Sequence, residues 1–226
     1  MNFILENILT VSFWFAVLRV TTLLIWASLA AAISIKSNTI NIAIDGIMLV
    51  ATLVGVIVSG YLNNLILAVF LAIIFGISLV CLLSYFSLKL NTNIFIGGIA
   101  LNMFASGVTI SILYLTTHDN AVSSSLKSLT VPSWNIHIIK DLPVVGSILS
   151  GHNALTYFAF VGIVFYYILL YCTKLGLHII AVGENPEAVK SVGISVFRTK
   201  FLALILGGFF TSLGGIFLSM GYLSFL

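Results

Sequence analysis

Charge is what this sequence has least of. Only 7% of its 226 residues are Asp, Glu, Lys or Arg, while 61% are apolar; a soluble domain carries about 25% charged residues. So little polar material cannot cover a surface in water, and lipid has to solvate much of it. Cysteine is nearly absent as well. Cys81 and Cys172 each sit within an apolar run, where they read as small buried hydrophobes and not as a disulfide framework or metal site. The nine Lys and Arg are scattered and leave a formal charge of only +3, which argues against nucleic acid as a partner. No Gly-x-x-x-x-Gly-Lys-Ser/Thr loop occurs, so nothing in the chain can cradle ATP phosphates. A nucleophile–base pair, a zinc-ligand cluster and a dinucleotide fingerprint are missing too. The four histidines (His118, His137, His152 and His178) fall in predicted loops, which favours surface or interfacial roles over catalysis. The expectation is a protein that is not an enzyme and binds no cofactor or metal itself. The N-terminus, Met1 to Glu6, lacks a cationic start, and the apolar run after it exceeds the roughly 7–15 residues of a signal-peptide core. The first helix is therefore expected to stay in the mature protein.

What is present is long apolar runs. A spanning helix needs about 20 mostly apolar residues, each rising ~1.5 Å across a hydrocarbon core of ~30 Å. Six stretches fit, at about 10–35, 40–62, 65–86, 94–115, 154–172 and 200–222. Hydrocarbon tolerates no unpaired backbone group, so the expected fold class is all-α, a polytopic membrane helix bundle forming one transmembrane domain over 1–226. The short joints at 36–39, 63–64 and 87–93 predict that successive helices are antiparallel neighbours. The start of the second stretch (Asn38, Asn41, Asp45, Gly46) is too polar to face lipid. Small residues gather in the last span (Gly207, Gly208, Ser212, Gly214, Gly215, Ser219), the second (Gly55, Ser59, Gly60) and the fourth (Gly97, Gly98, Ala100, Ala105, Ser106, Gly107). They read first as helix–helix seams, and alternatively as the lining of a solute path.

Two polar connections, 116–153 and 173–199, interrupt the apolar runs. If the six spans alternate, Lys36, Lys89, Lys174, Lys190, Arg198 and Lys200 share one side, against Lys127, Lys140 and a shallowly embedded Arg19 on the other. The positive-inside rule then puts the 173–199 loop in the cytoplasm and the 116–153 loop outside, with Arg19 snorkelling to the outer interface. Within the cytoplasmic loop, Asn185 is a good N-cap, Pro186 fits the first helical position, and Glu187 sits near the positive helix end. Gly193 can take the left-handed conformation that ends the helix. Two turns are marginal alone in water; this helix must rest on the bundle or dock on a partner.

These residues carry a resemblance. The segment Gly183-Glu184-Asn185-Pro186-Glu187-Ala188-Val189-Lys190-Ser191-Val192-Gly193, followed by the glycine-rich last span, resembles the coupling-loop region of permease subunits of ABC importers. The subgroup is the one that handles branched-chain amino acids, simple sugars and nucleosides. Ile40-Asn41-Ile42-Ala43-Ile44-Asp45-Gly46-Ile47-Met48-Leu49 and Gly97-Gly98-Ile99-Ala100-Leu101-Asn102 are similar to motifs of its nucleoside-type members, in family order. Asp45 stands where Glu is usual, and relatives continue through further spans beyond the position of Leu226, so the chain is expected to be C-terminally truncated. The resemblance implies a multi-pass protein of the bacterial cytoplasmic membrane importing a small polar solute, a nucleoside first. It also implies an ABC ATPase subunit that binds ATP, a second permease subunit, the same or related, and an external solute-binding protein or lipoprotein. The ATPase-coupling residues would be Gly183, Glu184, Asn185, Pro186, Glu187, Ala188, Lys190 and Gly193, with the short helix seated in a cleft of the ATPase.

Asn41 and Asp45, four residues apart, would share a helix face. With Asn102, mid-run in the fourth span, they are candidates for the lining of a hydrophilic passage. Alternatively, Asp45 pairs with Lys36 or caps the start of its helix, and Asn102 bridges helices. Two other functions stay open: an ion-driven secondary transporter with Asp45 as its ion or proton site, and a non-transporting membrane remnant. The orientation has a direct check. A cysteine replacing Ser191 should react with a maleimide only after the membrane is permeabilised; labelling in intact cells would reverse the assignment of sides.

Overall fold

The computed structural model describes residues 10–117, 129–134 and 150–222. Among these, the regular secondary structure is helical, apart from an isolated bridge between Ser133 and Asn153. Six helical spans are long and apolar enough to cross a membrane, so the chain is a multi-pass all-α bundle. Helix α1 (Val11–Lys36) starts at Thr10, whose hydroxyl accepts from the Phe13 N–H at 3.4 Å. Helix α2 (Ile44–Leu62) ends at Asn63 in the left-handed conformation, and Asn64 at once caps α3 (Leu65–Ser84) by accepting from the Leu67 N–H at 3.1 Å. A π-helical turn, Tyr85–Lys89, extends α3 before α4 (Ile94–Thr117). Helix α5 (Ala154–Tyr167) likewise runs into a π turn, Ile168–Cys172. Two short helices follow, α6 (Lys174–Glu184) and α7 (Pro186–Ser191), and then α8 (Val196–Ile216) with a terminal π turn, Phe217–Tyr222. Asparagine supplies the positive φ needed at three of the joints, at Asn38, Asn63 and Asn91, where its short polar side chain tolerates that conformation best after glycine.

Several bounds differ from the sequence expectation for a physical reason. Helix α2 begins at Ile44, not at 40, because residues 40–43 are non-helical. Asn41 therefore lies outside the helix, and the argument that it shares a helical face with Asp45 does not hold. Helix α8 starts four residues early because Ser195 caps it. The 173–199 connection holds two helices where one was expected. Of the histidines, His118 and His137 lie outside the described residues and His178 sits on α6. His152, expected in a loop with a surface or interfacial role, lies outside the helices but is 2% exposed and stacks on Phe15 with ring centroids 3.9 Å apart.

Helix α8 is the centre of the bundle: 61% of its apolar window is buried, against 22% for the α3 span. It packs on α1, α2 and α3 together. As a result α1 and α2, consecutive in sequence and expected to be neighbours, touch only lightly, with α8 packed on both. The α8 glycines make this possible. A Cβ at Gly208 would come within 2.6 Å of Val80, and one at Gly215 would collide with the Met48 carbonyl. At that crossing the Thr52 hydroxyl donates to the Gly215 carbonyl (2.8 Å) as well as to its own Met48 carbonyl (2.7 Å). The small residues of α8 are thus seams. On α4 only part of the set is, since Gly98 and Ala105 are buried while Ala100 and Gly107 are exposed.

Gly215→Val should force α8 off α2 and break the Thr52 bond, lowering stability by about 1–3 kcal/mol as overpacking does. Gly107→Ala, where a Cβ would meet nothing within 4 Å, should leave the melting curve in detergent unchanged or slightly improved.

Candidate functional site: the broken helix and the elbow

The seven residues between α1 and α2 are where this bundle departs from simple spanning. Chain reversal begins with Asn38 N–H bonding the Ile35 carbonyl (3.0 Å) and Thr39 N–H bonding the Ser34 carbonyl (3.0 Å). The Ser37 hydroxyl is paired with Thr39, and all three residues Ser34, Ser37 and Thr39 are buried. Residues 40–43 then run non-helically into the protein. Asn41 is 5% exposed and uses its Oδ1 to accept from the Ala43 N–H at 2.9 Å.

Helix α2 consequently starts with bare N–H groups, and its N-cap residue, Ala43, has no side chain able to cap them. Asn102 of α4 makes good the deficit from a neighbouring helix. Its Oδ1 accepts from the Gly46 N–H at 2.8 Å, and its Nδ2 donates to the Ile42 carbonyl at 2.9 Å. Gly46 has to be glycine for this contact, because a Cβ would sit 2.7 Å from that same Oδ1. Asn102 lies eight residues into α4, so the seal is about 12 Å along that helix from its first residue. Of the three candidate path residues, Asn41 and Asn102 meet at this joint and are engaged with backbone. Asp45 is different. It lies in the first turn of α2, exposed, with no side chain among the described residues bonded to it. Lys36 does not pair with it.

The candidate coupling-loop residues form an elbow. Thr173 caps α6 by accepting from the Gly176 N–H (3.1 Å) while its hydroxyl also bonds the Leu169 carbonyl of the preceding π turn. A Cβ at Gly176 would collide with that carbonyl, so α6 folds hard back against the end of α5. At the far end of α6, Gly183 presses on the last turn of α1, where a Cβ would overlap the Lys36 carbonyl. Helix α7 follows directly. Asn185 accepts from the Ala188 N–H at 3.1 Å, Pro186 occupies the first position, and Gly193 ends the helix with φ +85°. Val189 is its one buried anchor, at 7% exposure. Glu184, Glu187, Ala188, Lys190 and Ser191 are exposed, and Val192 presents an apolar side chain at 78% exposure.

The sequence reading missed α6. Its signal was present: Thr173 as cap, then Gly176, Ile179 and Val182 recurring at helical spacing to give the buried face. It also missed Lys36, whose carbonyl, a group every residue has, is what Gly183 packs against. No group of three or more His, Cys, Asp or Glu among the described residues could hold a metal ion.

Comparison with known proteins agrees with this architecture. A family model described as the permease component of branched-chain amino acid transport systems matches residues 13–225. A protein of Haloferax volcanii whose name assigns it to glucose ABC transporter permeases is 30% identical over 207 residues, covering 92% of this chain. The nucleoside permease NupC of Lactococcus lactis and the guanosine permease NupQ of Bacillus subtilis are each 24% identical, covering 86% and 85% of the chain. The chain spans 62–63% of the length of these three relatives. No solved structure matches. A match across nearly the whole chain, on a six-span bundle with an elbowed, capped connecting helix, places this protein in the branched-chain amino acid transport permease family of ABC transporters.

Proposed function

We propose that the chain is a membrane-spanning permease subunit of an ABC importer for a small, uncharged, hydroxyl-bearing solute, a nucleoside or a simple sugar. It would work with a separate ATPase subunit, a second permease chain and an external solute-binding protein or lipoprotein. The observation that carries this reading is the construction of α7. It is capped at both ends, joined directly to α6, with Val189 its one buried side chain, Pro186 half-buried and the rest exposed. Such a helix suits a cleft on a cytoplasmic partner. Its rigid attachment gives the partner's movement somewhere to go. Helix α6, to which α7 is joined, bears through Gly183 on the end of α1 and through Gly176 on the end of α5. The end of α1 leads directly into the non-helical segment that Asn102 seals, so a push on α7 would be felt at the start of α2. Coupling of this kind needs two sites and a structural element that both bias. The 37–43 segment is the candidate element.

The solute class rests on the relatives named above together with the nucleoside-type runs around Asn41–Asp45 and Asn102. Asp45 is the remaining candidate for the path itself. A bare carboxylate at the start of a span is costly against lipid, so its exposed face suits a water-lined passage or the surface of a second permease chain.

Two variant sets test these roles in the assembled transporter. Reversing charge at Glu187 and Lys190 together, or making Gly183→Ala, should lower ATP-driven uptake about tenfold or more, while membrane insertion and the ATPase's basal hydrolysis persist. Uptake unchanged in both would remove the coupling role, and uptake driven by an ion gradient with no ATPase present would replace the reading altogether. Asn102→Leu leaves the Gly46 N–H and Ile42 carbonyl without their partner and should cost about 1–3 kcal/mol of stability. Asp45→Asn should leave the melting curve unchanged and alter only uptake.

A further inference from the structure

The polar recess of about 600 Å³ that Arg19, His152 and Thr156 line at the far end of α1 has a counterpart of near-equal volume and opposite character. It is a groove of about 590 Å³ between α3 and α4. It exists because α4 packs mainly on α2 and only lightly on α3. Leu83 and Leu101, both buried, form its floor, while Leu82, Ile96 and Phe104 stand exposed along its rims. Gly97 and Ala100, with little or no side chain, keep the space between them open.

The groove changes polarity along its length. The polar residues of its lining, Thr92 and Asn93, both lie at the α3–α4 joint. From Asn93 to Phe104 its walls are apolar, a rise along α4 of about 16 Å, which is the depth of one leaflet of a ~30 Å hydrocarbon core. The joint also carries cations. Lys89 is exposed and stands over the Tyr85 ring, 5.0 Å from its centroid. That contact steadies the ammonium and leaves N–H donors for an oxygen ligand. Lys200 lies one turn before Leu204 on α8, and so on the same face; Leu204 shares a cluster with Leu83, Leu88 and Ile94 beside the joint. Lys200 is half-buried, and among the described residues no acid pairs with it or with Lys89. A partly buried cation without a counter-charge is costly. Asn93 Oδ1 is already engaged, accepting from the Phe95 N–H at 2.9 Å, whereas no described group bonds the Thr92 hydroxyl.

A cationic mouth above an apolar slot one leaflet deep matches one class of molecule. We propose that the groove binds an anionic phospholipid from the leaflet on the elbow side of the membrane. One acyl chain lies along Leu83, Ala100 and Phe104. The phosphate sits at the joint, bonded by Lys89 and the Thr92 hydroxyl, with Lys200 adding a second positive charge. Lysine binds phosphate as a point charge, and lysines at the membrane surface draw anionic lipids to them. A helix from a second copy of this chain could cover the apolar slot, but it would leave both lysines without an anion. The inference requires only that the chain lies in a membrane, and it holds whatever solute the protein carries.

The test is native mass spectrometry of the protein in mild detergent, titrated with dioleoylphosphatidylglycerol or with its zwitterionic counterpart dioleoylphosphatidylcholine. The anionic lipid should bind about tenfold or more tightly than the zwitterionic one. Lys89→Gln should lower affinity for the anionic lipid about fivefold and leave the other unchanged; adding Lys200→Gln should erase the preference. Lys174→Gln, at an exposed position on α6 outside the groove lining, should change neither affinity. Ala100→Trp fills the slot without altering charge and should weaken both lipids about tenfold, as lost burial of a chain does. Should Ala100→Trp or Lys200→Gln impair folding, Lys89→Gln still reports from its exposed site. Three results overturn the proposal. Equal binding of the two lipids would make the groove an ordinary lipid-facing surface. An effect of Lys174→Gln as large as that of Lys89→Gln would assign the preference to diffuse charge. A dimer that Ala100→Trp splits into monomers would put a second copy of the chain in the groove.

Discussion

Hydrocarbon has no hydrogen bond to offer a polar backbone group, and the Asn102 amide is where this bundle meets that constraint most acutely. Five of the six spans start at or beside a cap or in an ordinary turn. The second starts with the chain already inside the protein, its first N–H groups bare and its cap residue an alanine. One amide on a neighbouring helix supplies both the acceptor and the donor the break requires. With that bond in place, a non-helical segment can persist at depth. Without it, the Gly46 N–H and the Ile42 carbonyl would lose their partner. The arrangement of α2 against α4, the burial of Asn41 and the outward setting of Asp45 all follow from this joint.

The second principle of the structure is the absence of side chains at chosen places. Gly208 and Gly215 let α8 lie against three helices at once, so sequence neighbours such as α1 and α2 end up packed on α8 instead of on each other. Gly176 and Gly183 do the same for the elbow, holding α6 against the ends of α5 and α1. A contact that closes onto a backbone carbonyl has no side-chain rotamer to absorb movement. Such joints are stiff, and they tie α6 to the ends of both α5 and α1.

The two ends of α1 therefore differ in character. At Lys36 the helix ends in a compact, hydrogen-bonded reversal that leads to the break, while around Arg19 it borders a polar recess. Helix α1 is the element that reaches from the elbow to the recess.

The sequence by itself determined the fold class, the existence of six spans and the grammar of α7. Each of these depends on local properties: the length of apolar runs, the near absence of charge, and the order Asn185, Pro186, Glu187, Gly193. It also singled out Asn41, Asp45 and Asn102 as polar residues in the wrong solvent. Only the tertiary structure decided what they do. The four-residue spacing of Asn41 and Asp45 assumed a helix that had not yet begun, and nothing local to residues 40–43 says that Asn102, some 60 positions away, will stabilise them unfolded from the helix. Burial of His152 and the cavity beside it were equally hidden, because they arise where α1, α5 and the end of the α8 span converge. Periodicity reports which residues avoid water. Which backbone group a given amide or glycine will meet is fixed by packing between distant segments, and that information is carried by no single stretch of chain.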